Sequence, residues 1–445
     1  MVKDKLFGMI SLGCDKNRVD SEKLIGLLKE NGCRLTDDLS KAQILIINTC
    51  AFLRIAREEA IDTILECAEY KQGNLEKIVV TGCLPQKFID ELYAPLTEVD
   101  VFLGINEYQK IFEALKNSYK ENQRQNYVAK GGDVYSHARS ITTPDHYAYL
   151  KIADGCYNHC TYCLIPKIRG KYRSYPMEDL LKEAEDLGDT AELILVAQDT
   201  TRYGEDLYGD NRFVALLQKL SKLDNIHSIR LLYCYPDVIS DALIDEIASN
   251  PKILKYLDIP LQHTEDRVLK LMNRKGTRAG YLQLFEKLRA RIPNVVIRST
   301  FISGFPTETE SEFESMQNFL RQAKLLNCGF FAYSREEDTA AYKMKPQIHH
   351  ATKNRRVKAL YQVQEKISAE LLSEYVGKWI EVVCDGIDYD KNCFIGRAYF
   401  NAPDIDGKVY FNAAEAMQGE RYNVFVTNAD SYDLYGKTED YYELT

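Results

Sequence analysis

The chain has 445 residues, 45 % apolar and 28 % charged, enough length for two to four domains with sizeable cores and an ordinary globular composition. Its net charge of −9 offers no field to attract a polyanion, its first residues lack the apolar run of an export signal, and no stretch approaches the ~20 apolar residues that span a bilayer. Twelve cysteines without an export signal argue for metal or redox use in a reducing compartment and against a disulfide framework, so a cytoplasmic protein with no membrane contact is expected.

Residues 1–120 alternate strand-like and helix-like patterns, as α/β domains do. Buried strands are predicted at 6–11, 43–48, 77–81 and 99–103, with helical periodicity over 17–31 and 51–71. A polar linker over 121–146, containing Gly131 and Gly132, follows. Residues 147–375 repeat the alternation six times, with strands expected at 147–153, 192–197, 228–234, 256–261, 295–302 and 329–333. The clearest helices between them are 178–187, 278–291 and 311–326, and a long charged helix over 352–375 closes the segment. Six such units suggest a partial (β/α)6 barrel with function at the C-terminal ends of its strands. Beyond Gly377, short strands at 379–384, 394–399, 409–412 and 422–427 suggest a small antiparallel β-barrel over 377–445. That last segment holds six basic against thirteen acidic side chains, a net of −7, while the rest of the chain nets −2. A partner of the C-terminal segment should therefore be basic or indifferent to charge.

Cys156, Cys160 and Cys163 form a CxxxCxxC motif after the first strand of the central segment. Three thiolates on one loop can hold three irons of a four-iron cluster, and a cluster normally takes four cysteines, so one iron stays free for a substrate. The same spacing also suits a zinc site with His159 as fourth ligand, or three unrelated core cysteines. Cys14, Cys50 and Cys83 are far apart in sequence, yet each falls just past a predicted strand. In a parallel sheet those ends share one edge, where ligands bind, so a second three-cysteine cluster is expected there. Buried cysteines acting as small hydrophobes are the alternative.

The central motif resembles the signature of radical S-adenosylmethionine enzymes. With Gly13-Cys-Asp-Lys-Asn17, Asn48-Thr-Cys50 and Thr81-Gly-Cys83, and with a small barrel at the C-terminus, the whole chain is similar to the radical methylthiotransferases. The resemblance implies two [4Fe-4S] clusters, each with three cysteine ligands: the radical cluster on Cys156, Cys160 and Cys163 and an auxiliary cluster on Cys14, Cys50 and Cys83. It implies S-adenosylmethionine as both radical source and methyl donor, and a TRAM domain over the C-terminal barrel that contacts the substrate. It also implies an external electron donor such as flavodoxin or ferredoxin.

Two branches of that family modify either tRNA adenosines or an aspartate β-carbon of small-subunit ribosomal protein S-twelve. The segments Ala197-Gln-Asp-Thr200, Ala402-Pro-Asp-Ile-Asp-Gly407 and Tyr432-Asp-Leu-Tyr-Gly436 resemble the protein-modifying branch. Charge agrees: phosphate contacts supply much of the affinity for nucleic acid, and the C-terminal segment is acidic. A basic ribosomal protein is the expected substrate and tRNA the disfavoured one.

Other residues are candidates for cofactor contact. Tyr162 lies between two ligands and could pack beside an adenine, or merely pack the loop. Pro166 and Arg169 follow the loop and could shape a pocket or form a plain turn. Gln198 is predicted at a strand end, and Arg298, Gly304 and Glu308 lie in or after the fifth central strand, each with a structural role as the alternative. His263, beside Gln262, suits a barrel mouth but more often serves as a hydrogen-bonding structural residue.

Overall fold

The computed structural model describes residues 2–129 and 138–444, so Gly131 and Gly132 of the expected linker lie outside the described residues. Six strands form the first sheet: β1 (Leu6–Ser11), β2 (Arg34–Leu35), β3 (Ile44–Thr49), β4 (Lys77–Gly82), β5 (Val101–Leu103) and β6 (Gln125–Tyr127). They lie in the order β2-β1-β3-β4-β5-β6, and every pairing is parallel. Every residue of β3 and β4 is buried, which is why both read as continuous apolar runs. The edge strands β2 and β6 escaped prediction because two or three residues are too few to show a period. Helices Asp15–Glu30, Arg54–Ala68 and Cys83–Leu92 follow β1, β3 and β4.

Two compact units make up the chain. Residues 1–143, 153–179 and 336–339 form one, and 144–152, 180–335 and 340–445 form the other. The segment 153–179 belongs with the first because Leu164 and Ile168 bury themselves among Leu45, Ile47, Ile78, Val80 and Phe102. Burial of two such side chains stabilises that attachment by roughly 3–6 kcal/mol.

The second unit contains β7 (Tyr147–Lys151), and the expected strand over 147–153 stops there. In the first unit, β8 (Ala153–Asp154) instead pairs antiparallel with β9 (Arg173–Ser174). The remaining parallel strands are β10 (Glu192–Val196), β11 (Ile229–Leu231), β12 (Ile253–Asp258), β13 (Val296–Ser303) and β14 (Asn327–Ala332). Their order β7-β10-β11-β12-β13-β14 follows the sequence, as in an open (β/α)6 arc. Helix Glu310–Ala323 starts at a capping box made by Thr309 and Glu312, and helix His350–Ser373 packs against β14.

The C-terminal strands β15 (Trp379–Asp388), β16 (Cys393–Arg397), β17 (Val409–Asn412), β18 (Arg421–Ala429) and β19 (Leu434–Thr438) close a barrel in the order β15-β16-β17-β19-β18. The fifth strand, β19, was not anticipated, because Tyr432-Asp433 ahead of it and Gly436 within it read as a turn. It pairs parallel with β17, while every other pairing of the barrel is antiparallel.

A chain of buried charges joins this barrel to the sheet of its own unit. Glu192 accepts hydrogen bonds from Arg230 at 2.5 Å and from Arg397 at 2.7 Å. Arg397 also pairs with Asp385, which meets His146 at 2.7 Å. Burial alone would raise the Glu192 carboxyl, but Arg230 and Arg397 outweigh it and bring it down to about 2. A carboxylate depressed in the folded state contributes stability that is whole above its unfolded pKa, about 4.3, and is lost as pH falls from there toward 2. Glu192→Gln is therefore expected to destabilise the barrel at neutral pH and to flatten its acid unfolding across that window. Fluorescence of Trp379, the single tryptophan of the chain, reads this from within β15. A wild-type acid profile in the variant would refute the assignment.

Candidate metal centre and cofactor site

The first cysteine trio lies where strand order predicts. Cys14, Cys50 and Cys83 directly follow or closely trail the C-terminal ends of β1, β3 and β4, which are neighbours in the sheet. Cys14 is the N-cap of helix Asp15–Glu30, and Cys83 is the first residue of helix Cys83–Leu92. Both residues thus stand at positive helix ends. Gly82 has φ +95°, and a Cβ there would sit 2.3 Å from Asn48 Oδ1 and 2.4 Å from the Thr49 carbonyl oxygen. Only glycine lets β4 turn this tightly into the helix that carries Cys83. Burial pushes the Cys83 thiol up to about 12, against the pull of Arg169. Binding a metal at that sulfur must therefore release a proton.

The second trio sits on a loop closed at its base by the β8–β9 ladder. Gly155, at φ +77°, comes so close to the Lys171 carbonyl that a Cβ would lie 2.1 Å from its oxygen. The Cys156 N–H donates to the Gly170 carbonyl at 3.2 Å, and the Cys163 N–H to the Cys160 carbonyl at 3.0 Å. Two backbone amides already point at sulfur: Asn158 N–H at Cys156 Sγ and Ile165 N–H at Cys163 Sγ, both at 3.4 Å. Such donors stabilise thiolates and tune a cluster they hold. Among the described residues, no three His, Cys, Asp or Glu side chains converge closely enough to share one ion, as ligands of a lone tetrahedral ion must. Thiols, helix N-termini and amides that face sulfur are donor chemistry that suits a metal centre.

One buried side chain ties the two trios together. The Arg169 guanidinium donates to Asp154 Oδ2 at 2.8 Å, to Asp20 Oδ2 at 3.0 Å and to Asn17 Oδ1 at 2.6 Å. Asp154 holds the loop of the second trio by accepting the Gly155 N–H at 2.9 Å. Asn17 holds the other edge, donating to the carbonyls of Leu12 and Thr49 on either side of that trio's loops. Arg169, Asp20 and Asp154 are all at most 2 % exposed. The sequence offered Arg169 as a pocket-shaping residue or part of a plain turn and assigned nothing to Asp20 or Asp154. The only sequence signal for this bridge was the proximity of Asn17 to Cys14 and of Asp154 to Cys156.

The other candidates divide. Tyr162 is half-buried between Cys160 and Cys163, and Pro166 lies in the first turn of helix Ile165–Ile168. Gln198, just beyond β10, has a buried Oε1 with no hydrogen-bond partner among the described residues, an acceptor suited to a bound N–H or O–H. Arg298 is engaged by Asp258 at 2.9 Å and Asp406 at 3.3 Å, and Asp406 also accepts from Tyr256 at 2.7 Å. The segment 402–407, singled out in the sequence, thus inserts a carboxylate into the sheet of its unit. Gly304 gives its N–H to Glu308 at 2.8 Å. Glu308 is wholly buried and also meets Arg356 and His263, which makes it a hub beyond the end of β13.

Residues 150–320 match the radical SAM superfamily, residues 7–104 the uncharacterized protein family UPF0004, and residues 376–438 the TRAM domain. The chain is 47 % identical over 446 residues to the ribosomal protein uS12 methylthiotransferase RimO of Clostridium botulinum, covering 99 % of each. The chain belongs to the RimO methylthiotransferase family. It is also 44 % identical to the family member of Acetivibrio thermocellus, over 97 % of this chain and 98 % of that one. The fold is shared with the radical S-adenosylmethionine methyltransferase TsrM of Kitasatospora setae, at a TM-score of 0.58 and 12 % identity over 84 % of this chain and 79 % of that one. It is shared too with the cobalamin-dependent S-adenosylmethionine radical enzyme OxsB, at a TM-score of 0.52 and 12 % identity over 82 % and 56 %. Membership makes the protein a radical S-adenosylmethionine methylthiotransferase and implies S-adenosylmethionine and a [4Fe-4S] cluster. Among the described residues, no helix is long and apolar enough to cross a membrane.

Proposed function

We propose that this enzyme places a methylthio group on the β-carbon of an aspartate in ribosomal protein uS12, with a radical cluster on Cys156, Cys160 and Cys163 and an auxiliary cluster on Cys14, Cys50 and Cys83. The observation that carries this reading is the pair of three-thiol sets in one unit, coupled through Arg169. When bound, a three-thiolate cluster supplies an iron free to take S-adenosylmethionine or an exchangeable sulfur, and the electron that cleaves the sulfonium.

The chain's own groups do the rest. The N–H groups of Asn158 and Ile165 face the ligand sulfurs and offset their negative charge. Leu164 and Ile168 anchor the loop in an apolar core, which holds its geometry and excludes water. Tyr162 packs on the adenine of S-adenosylmethionine, and Pro166 stiffens the loop beside it. Arg169, Arg298 and Gly304 act as positioning residues through their partners. The acidic barrel, net −7 over 377–445, favours a basic ribosomal protein over tRNA. A small flavodoxin or ferredoxin delivers electrons, and the reaction takes place in the cytoplasm.

The test is anaerobic incubation of the reconstituted enzyme with S-adenosylmethionine, reductant and sulfide, offering uS12 and bulk tRNA together. Mass spectrometry should find a methylthio increment on one uS12 aspartate and none on tRNA. An increment on a tRNA adenosine would overturn the substrate assignment.

A further inference from the structure

The barrel carries a cation seated over one of two neighbouring aromatic rings. The parallel pair β17 and β19 sets Tyr410 opposite Tyr435, with ring centres 5.5 Å apart and planes 15° from parallel. Lys391, from the turn joining β15 to β16, brings its Nζ to 3.3 Å from the Tyr410 ring centre and 5.6 Å from that of Tyr435. With Asn412 and Thr427 these residues line a groove of about 320 Å³. Lys391 is exposed and both tyrosines are half-buried.

Carboxylates surround the groove. Asp430 accepts the Tyr435 hydroxyl at 2.8 Å, and both Asp430 and Asp433 lie within electrostatic reach of Lys391. Asp388 accepts the N–H groups of Asp390 and Lys391 at 3.0 and 2.9 Å. Tyr389, 86 % exposed, extends from the same turn. Aromatic faces ringed by carboxylates select a cation. Single-stranded nucleic acid also stacks on aromatic side chains, but along a basic groove that tracks its phosphates, and here the phosphates would meet Asp388, Asp430 and Asp433.

We propose that this groove docks a lysine or arginine side chain from a basic, extended segment of the protein substrate, with Lys391 as the internal cation that the substrate's cation displaces. The inference rests on the protein-substrate reading above and deepens it by naming a subsite. The exchange is one cation for another, so Lys391 acts as a built-in competitor and its removal should tighten binding. The tyrosine faces hold whichever cation is present, so their removal should weaken it.

Steady-state methylthiolation by the full-length, cluster-loaded enzyme, with purified uS12 as the varied substrate, tests this. Tyr410→Leu with Tyr435→Leu keeps apolar bulk in the groove but removes both π faces. The KM for uS12 is expected to rise about tenfold at constant kcat. Lys391→Gln is expected to lower that KM about threefold. If Trp379 fluorescence shows that the tyrosine variant does not fold, Asp430→Asn with Asp433→Asn replaces it, with a raised KM expected. Wild-type KM values in the folded variants would overturn the inference. So would a tyrosine variant that loses competition by added tRNA while keeping its KM for uS12. A wild-type enzyme that leaves uS12 unmodified defeats the substrate reading itself, whereas good wild-type activity with an indifferent groove defeats this inference alone.

Discussion

Cys156→Ala, Cys160→Ala and Cys163→Ala are each expected to abolish reductive cleavage of S-adenosylmethionine, while Cys14→Ala, Cys50→Ala and Cys83→Ala should spare cleavage and stop methylthiolation. A cluster normally takes four ligands, so one held by three thiols has none to spare. Removing one therefore leaves two ligands and costs the variant about half of its bound iron. The two sets differ in mounting. One rides a loop closed by β8 and β9, with backbone N–H groups on its sulfurs. The other lines the edge formed by β1, β3 and β4. Quantifying 5′-deoxyadenosine and methylthiolated product in parallel separates them. Full product formation by any of the six variants would refute the role given to that cysteine, and loss of cleavage in the second set would show that the two sites do not act independently.

Arg169→Leu is expected to cost about 3–5 kcal/mol of stability, because it leaves Asp20 and Asp154 as buried carboxylates without their cation. The denaturation midpoint reads this directly. Arg169→Lys should recover only part of it, since one ammonium cannot reproduce the planar fork that reaches Asn17, Asp20 and Asp154 together. Iron loading should fall at both trios, because Asn17 steadies one edge and Asp154 the other. If Arg169 instead served as a direct cofactor contact, its loss would weaken S-adenosylmethionine binding and leave the midpoint unchanged.

The contrast between Cys83 and Arg169 explains what was legible in advance. Cys83 announced itself because a fully buried strand, then Gly82, then cysteine is a local pattern, and parallel strands bring their C-terminal ends to a common edge whatever the loops between them do. Arg169 gave no such signal. Its partners lie 15 to 152 residues away along the chain, and a charged residue after a cysteine loop looks the same whether it faces solvent, cofactor or a buried carboxylate. Arg298 was equally silent about its partner Asp406, which comes from a distant segment of the chain. The strand β19 was hidden because its alternation of buried Leu434, Gly436 and Thr438 is carried partly by a glycine, whose contribution to a period is invisible.

By itself the sequence determined the α/β alternation, the six-stranded central series, the C-terminal barrel, the strand-end positions of Cys14, Cys50 and Cys83 and the family, because these rest on local periodicity and on motifs read within a few residues. Only the tertiary structure decided that the segment 153–179 packs with the N-terminal sheet, that Arg169 couples the two cysteine sets, and that Lys391 sits over Tyr410 with Tyr435 alongside. Each of those outcomes depends on burial and charge compensation between residues distant in the chain. A sequence period carries no record of which distant partner a buried charge or an aromatic face will meet.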